Sequence, residues 1–263
     1  MLDAETGRAK ETLSMRRFEG KVALVTGAAS GIGQATALRL ATEGASLACV
    51  DLKKEGAEES ARRVEALGQR AQAFECDVSD RTAVFATVGK VVERFGKIDV
   101  LCNIAGILHS AHTHELEPDD WQRVLAVNLS GTFWMCQAAL PHLLKTHGNI
   151  VNMSSTAALG SHPWMAAYAA SKGGVLSFSR SLSVEYVKQG LRVNVICPGG
   201  IKTALHEQFS LPKGADVELL RGAMPFVEYA GPDHAASVIA FLASDDARYI
   251  YGAEIRVDGG ALS

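Results

Sequence analysis

The sequence predicts an α/β chain, a single domain built on a doubly wound parallel sheet of about seven strands with helices on both faces. Three observations predict it. Short apolar runs rich in Val, Ile and Leu recur from Lys21 onward, longer amphipathic stretches separate them, and glycines at Gly44, Gly68 and Gly96 stand where those stretches end. Alternation of this kind argues βαβ units and parallel pairing. A length of 263 residues suits one α/β domain as well as two. Residues 1–17 mix acidic and basic side chains without an apolar centre, so they are expected to be an N-terminal tail, mobile or in contact with another subunit. They are neither a signal peptide nor a membrane anchor, and the domain is expected to occupy 18–263.

Taken in order, Val22 to Val25 is the first strand, and its helix runs from near Gly33 to Gly44. Leu47 to Val50 is the second strand, followed by a helix over Glu55 to Leu67. Ala71 to Phe74 and a helix over Ser79 to Phe95 come next, then the strand Val100 to Cys102. Helical stretches around Trp121 to Leu144, Ala167 to Lys188 and Asp233 to Leu242 separate the strands Ile150 to Met153, Val193 to Ile196 and Ile255 to Val257. Right-handed crossovers bring the carboxyl ends of all strands to one edge, where ligands of such sheets bind.

Composition narrows the function classes. The chain is 48% hydrophobic and 21% charged, with 26 basic against 29 acidic residues and a net charge of −3. No Lys/Arg cluster tracks a phosphate backbone, so nucleic acid is not expected as a partner. No apolar stretch approaches the roughly 20 residues of a membrane span. The cysteines Cys49, Cys76, Cys102, Cys136 and Cys197 are widely spaced and form no CxxC pair, which reads as buried thiols in a reducing, cytoplasmic setting. His109, His112 and His114 lie close together but on no regular element, so no metal site is expected.

Thr26-Gly27-Ala28-Ala29-Ser30-Gly31-Ile32-Gly33 falls between the first strand and the first helix. Glycines there let backbone approach a pyrophosphate, and the helix N-terminus faces its charge. A parallel sheet with such a turn is Rossmann-type. Asp51 follows Gly33 by eighteen residues, at the end of the second strand, where a carboxylate can accept hydrogen bonds from ribose hydroxyls. A 2′-phosphate would meet like charge there, which favours NAD over NADP, although Lys53 and Lys54 could swing toward a phosphate.

Tyr168 and Lys172 stand four residues apart, on one face of a helix. A free phenol is a poor base at neutral pH, but positive charge from Lys172 and an oxidised nicotinamide would favour the phenolate, making Tyr168 an acid/base. Ser154, Ser155 and Thr156 follow the strand ending at Met153, and one of these hydroxyls can hold a substrate oxygen or cap a helix. Asn128 interrupts an amphipathic stretch, either as a satisfied structural kink or as a functional group.

These motifs together resemble the short-chain dehydrogenase/reductase family, from about Gly20 to Gly260. The glycine spacing is similar to the family's T-G-x-x-x-G-x-G turn. The interval of thirteen residues to Tyr168 matches Ser155 to the family's serine, giving Ser155, Tyr168 and Lys172 with Asn128 as the carrier of a water that links Lys172 to solvent. Asp77-Val78 resembles the family's adenine contact. Asn103-Ile104-Ala105-Gly106 resembles its N-N-A-G run with Ile replacing the second Asn; Asn103 should still stabilise the sheet. Pro198, Gly199, Ile201 and Thr203 resemble the P-G-x-x-x-T segment beside the nicotinamide and phosphates. The resemblance implies cofactor contacts at Gly27, Ser30, Gly31, Ile32, Gly33, Asp51, Asp77, Val78, Asn103, Ala105, Gly106, Tyr168, Lys172, Pro198, Gly199, Ile201 and Thr203.

The implied activity is hydride transfer between NAD and an alcohol/ketone pair in a small molecule, with Ser155 orienting the substrate, Tyr168 exchanging its proton and a homotetramer as the assembly. An NADPH-dependent 3-oxoacyl-type reductase and a non-catalytic nucleotide-binding regulator are the alternatives, and a methyltransferase would not need the Tyr/Lys pair. His162, Trp164 and Met165, with Leu205, Phe209, Leu211, Met224 and Phe226, form either an apolar substrate lid or ordinary packing and subunit contacts.

Overall fold

The computed structural model describes residues 16–207 and 209–263. Most of the expected tail lies outside the described residues. Where the chain enters the structure, Arg17 is already tied down: its guanidinium bonds Glu43 at 2.5 and 2.8 Å and Asp246 at 3.1 Å.

Seven strands form one sheet: β1 (Val22–Thr26), β2 (Ser46–Asp51), β3 (Ala71–Glu75), β4 (Val100–Asn103), β5 (Asn149–Met153), β6 (Arg192–Pro198) and β7 (Glu254–Val257). The order is β3-β2-β1-β4-β5-β6-β7, and every pair is parallel. The helices are α1 (Gly31–Thr42), α2 (Lys54–Ala66), α3 (Arg81–Phe95), α4 (Pro118–Leu125), α5 (Gly131–Thr146), α6 (Ala166–Tyr186), α7 (Ala204–Glu207) and α8 (Pro232–Ala243).

The strands read as continuous apolar runs because both faces of the sheet are covered. Along β1, Ala23 and Val25 pack into one core with Leu40 of α1, Val64 of α2 and Ile239 of α8, while Leu24 points into the other with Val88 of α3, Met135 of α5 and Leu182 of α6. The alternation is the two-residue strand period. Each fully buried leucine of this kind contributes about 2 kcal/mol relative to exposure.

The helix expected over Trp121 to Leu144 is two helices joined by a π-helical turn, Ala126–Ser130. Asn128 sits inside that turn and is fully buried. Strand order reverses between β1 and β4, so the crevice beyond their carboxyl ends is the switch point of the sheet.

Candidate active site

The turn after β1 is shaped by close approach. Thr26 Oγ1 accepts from Ile104 N at 3.0 Å and Ala105 N at 3.1 Å, fastening β1 to the segment after β4. Gly27 has φ +70, and a Cβ on it would stand 2.9 Å from Ala105 N. A Cβ on Gly33 would overlap the carbonyl oxygen of Gly27. At the start of α1, the N-cap residue Ser30 is extended, no side chain caps the helix and no acid lies in its first turn. A turn tightened by Gly27, Gly31 and Gly33, facing uncapped helix amides, fits the diphosphate of a dinucleotide.

Asp51 ends β2 beside this turn: Oδ2 accepts from Ala29 N at 2.9 Å and Oδ1 from Lys53 N at 2.8 Å. Asp77 is exposed, and its Oδ1 accepts from Ser79 N and Oγ. Val78 is buried against Gly131. Ala105 closes the wall over Gly27, and Gly106 borders Asn128 Oδ1 and Lys172 Nζ. Asn103 is buried: its Nδ2 donates to Asn152 Oδ1 at 2.9 Å and lies 3.3 Å from Cys136 Sγ, so its side chain joins β4 to β5 and α5. That is the sheet-stabilising part expected of Asn103.

Ser155 follows β5 and caps a 3₁₀ turn, its Oγ accepting from Ala157 N at 3.1 Å. It also donates to Pro198 O at 3.5 Å, and it lies near enough to the phenol of Tyr168 to lower its pKa. Both side chains are over nine-tenths buried. Burial pushes the Tyr168 phenol above its ordinary value, and Ser155 offsets this only in part. Lys172 Nζ lies 5.7 Å from the Tyr168 ring centroid and donates to Met153 O at 3.0 Å. Burial depresses its pKa to about 8. Desolvation thus favours the neutral form of both groups.

Asn128 holds this pair to the crevice. Its Oδ1 accepts from Ile107 N at 2.8 Å, and its Nδ2 donates to Ile107 O at 2.9 Å and Ser171 Oγ at 3.0 Å. Its own carbonyl accepts from Thr132 Oγ1 at 2.7 Å. Thr26, Ser154, whose Oγ donates to Lys172 O at 2.8 Å, and Ser171, which the sequence does not single out, complete the scaffold.

A cleft of about 220 Å³ opens over Ser155 and Tyr168. Ile32, Pro198, Gly199, Ile201 and Thr203 line it on the side of the glycine turn, and Leu108, Met165, Leu205, Phe209 and Met224 give it apolar walls. His162 lines it too, whereas Trp164, Leu211 and Phe226 do not. The histidine loop is tied down: His109 Nε2 is 3.5 Å from Asp120 Oδ2, and His112 Nε2 bonds Lys213 O at 3.1 Å. All five cysteines are buried and free. No helix among the described residues is long and apolar enough to cross a membrane.

Comparison with known proteins agrees with this geometry. The family model described as Enoyl-(Acyl carrier protein) reductase matches residues 27–261. The chain is 45% identical to D-threitol dehydrogenase of Mycolicibacterium smegmatis over 93% of this chain and 94% of that one. It is 40% identical to the 3-oxoacyl-[acyl-carrier-protein] reductase of Thermotoga maritima (94% and 99% covered) and 39% identical to meso-2,3-butanediol dehydrogenase of Serratia marcescens (94% and 96%). Among solved structures, 3-ketoacyl-(acyl-carrier-protein) reductase of Brucella melitensis complexed with NADH superposes with a TM-score of 0.86 at 34% identity, covering 94% of this chain and all of that one. A short-chain dehydrogenase of Burkholderia cenocepacia in complex with NADP gives 0.85 at 36%, again covering 94% and 100%. The chain belongs to the short-chain dehydrogenase/reductase family and is an NAD(P)-dependent oxidoreductase that acts on alcohol and carbonyl groups.

Proposed function

We propose that the chain is an NAD-linked dehydrogenase of small secondary alcohols, with Tyr168 as the acid/base, Ser155 holding the reacting oxygen, and Lys172 and Asn128 governing the proton. The observation that carries this reading is that Ser155 and Tyr168, both buried, line one cleft bordered by the glycine turn, with the Lys172 amine 5.7 Å from the phenol ring. When bound, the nicotinamide supplies the hydride acceptor and, oxidised, a positive charge. Gly27, Ser30, Gly31, Ile32 and Gly33 would hold the diphosphate, Asp51 the adenosine ribose, Asp77 and Val78 the adenine side, and Ala105, Gly106, Pro198, Gly199, Ile201 and Thr203 the nicotinamide half.

Tyr168 takes the alcohol proton as the hydride leaves carbon, and Ser155 keeps the oxygen within reach. Lys172, with a pKa of about 8, can pass a proton on from the buried pocket at near-neutral pH. Preference for NAD is supported by the Asp51 carboxylate, fixed by two backbone amides, which repels a 2′-phosphate. Relatives named for threitol and butanediol support a diol or polyol substrate.

A homotetramer in the cytoplasm completes the reading. Its support is the clustered Phe133, Trp134 and Phe178 rings on α5 and α6 and the exposed Val184 and Tyr249. Light scattering is expected to report four chains, and a monomer contradicts the assembly.

The enzymatic reading is tested by incubating the protein with NAD and a panel of secondary alcohols while following the absorbance of reduced nicotinamide. Oxidation with a lower Michaelis constant for NAD than for NADP is expected. A preference for NADP of about tenfold ends the cofactor assignment, since that is about 1.4 kcal/mol in the wrong direction. Faster reduction of an acetoacetyl thioester with NADPH than of any ketone with NADH would instead favour an acyl substrate.

A further inference from the structure

We infer that His162 is a specificity-determining residue that binds a second hydroxyl, on the carbon next to the reacting one, and so selects vicinal diols over simple alcohols. The inference rests on the dehydrogenase reading above and deepens it by naming the group that recognises the substrate class.

His162 belongs to the loop between Ser155 and Tyr168, and it lines the cleft with both. Much of the surrounding wall offers no hydrogen bond: Leu108, Met153, Met165, Leu205 and Phe209 are apolar. A polar ring placed in such a wall costs free energy unless something hydrogen-bonds it. Thr156 Oγ1 does so, at 3.3 Å from Nε2. Thr156 lines the same cleft. Because Thr156 and His162 line the cleft with Ser155 and Tyr168, a substrate whose reacting oxygen sits at Ser155 and Tyr168 can present its neighbouring hydroxyl to the Thr156–His162 pair.

The ring's chemistry is set by its other nitrogen. Nδ1 faces Gly160 O at 3.4 Å, and a carbonyl only accepts, so the neutral imidazole carries its proton on Nδ1. Burial favours that neutral form. Nε2 is then an acceptor whose present donor, the Thr156 hydroxyl, is at a long distance. An incoming hydroxyl can donate to Nε2 and accept from Thr156, using both groups at once. Contacts at both ends hold the loop in place, since Gly160 packs against the Leu262 side chain, and Trp164, at φ +63, accepts from Ala111 N at 3.0 Å. Preorganisation of this kind lets a hydrogen bond discriminate between substrates.

The test compares 2,3-butanediol with 2-butanol, which has the same carbon skeleton and no second hydroxyl, using wild type, His162→Leu and His162→Gln with saturating NAD. Wild type is expected to favour the diol in kcat/KM by about tenfold or more, since a site built to bond a hydroxyl rejects the analogue lacking it. His162→Leu should collapse that ratio, mostly through a raised KM for the diol, and His162→Gln, whose amide can still donate and accept, should restore much of it. Equal losses for both alcohols in His162→Leu, or an unchanged ratio, would overturn the assignment and leave His162 as a loop support. Wild type that oxidises neither alcohol would overturn the dehydrogenase reading itself, an outcome distinct from failure at His162.

Discussion

Lys172 Nζ lies 5.7 Å from the ring centroid of Tyr168 while it donates a 3.0 Å hydrogen bond to the carbonyl of Met153. The amine is thus anchored to the end of β5, the strand that also delivers Ser155. One strand end fixes two partners of the phenol, and the phenol itself rides on α6.

Tyr168→Phe removes the hydroxyl and keeps the ring, which packs in a small apolar cluster with Val124, Ala157 and Met165. Turnover should fall by about 10²–10⁴, the usual worth of a positioned acid/base. NAD affinity, read by calorimetry, should stay within about threefold of wild type, under 1 kcal/mol. Substantial turnover in this variant would refute the role given to Tyr168.

Lys172→Met tests the buried amine through stability. The folded-state pKa, about 8, lies below the ordinary 10.5, so between those values the unfolded chain holds a proton that the folded chain has released. Stability therefore rises with pH across that window, and below it the cost of burying the charge is present in full. Wild type should gain stability relative to Lys172→Met between a pH below 8 and one near 10.5 in denaturant titrations. A constant difference would show that the amine is not depressed.

Two glycines make an opposed pair. In Gly33→Ala the new methyl overlaps the Gly27 carbonyl, so the turn must shift and the cradle with it. The expected result is weaker NAD binding together with a stability loss of about 1–3 kcal/mol. Gly89, exposed on α3, has nothing within 4 Å of the place a methyl would occupy. Gly89→Ala should therefore stabilise the fold by about 0.5–1 kcal/mol, with NAD binding unchanged. Calorimetry of both variants checks the contrast.

Glu43 joins the start of the described chain to α1 and, through Arg17, to the segment after α8. Burial raises its pKa, but hydrogen bonds from Arg17 and Arg39 more than offset this and leave it below the ordinary carboxylate value. Its stabilising contribution is full above the unfolded-state pKa and is lost as pH falls through the folded one. Glu43→Gln should cost about 1–3 kcal/mol near neutrality. The gap to wild type should close in acid, which thermal unfolding at several pH values would show.

The strands and most helix ends are legible in the sequence because their signals are local. The apolar run Val22 to Val25 marks β1, which spans Val22–Thr26, and the periodic stretch Asp233 to Leu242 marks α8, which spans Pro232–Ala243. The glycine turn, Ser155, Tyr168 and Lys172 are legible from spacing, and the structure brings them to one crevice. What escapes depends on tertiary pairing. The bond from Asn103 to Asn152 and its approach to Cys136 join residues distant along the chain. The raised phenol is equally out of reach, since burial depends on what the fold stacks above Tyr168.

The π-helical turn at Ala126–Ser130 amounts to one residue more than a regular helix would hold. Excising a residue there would heal the ladder and leave the flanking faces nearly in phase, because the wider turn already absorbs the extra residue. The helix would become smoother and Asn128 would lose its simultaneous reach to Ile107 and Ser171. Local irregularity is thus the means by which one amide clamps the backbone beyond β4 to the helix that bears the phenol, and a one-residue deletion in this stretch would trade that clamp for ordinary helical regularity.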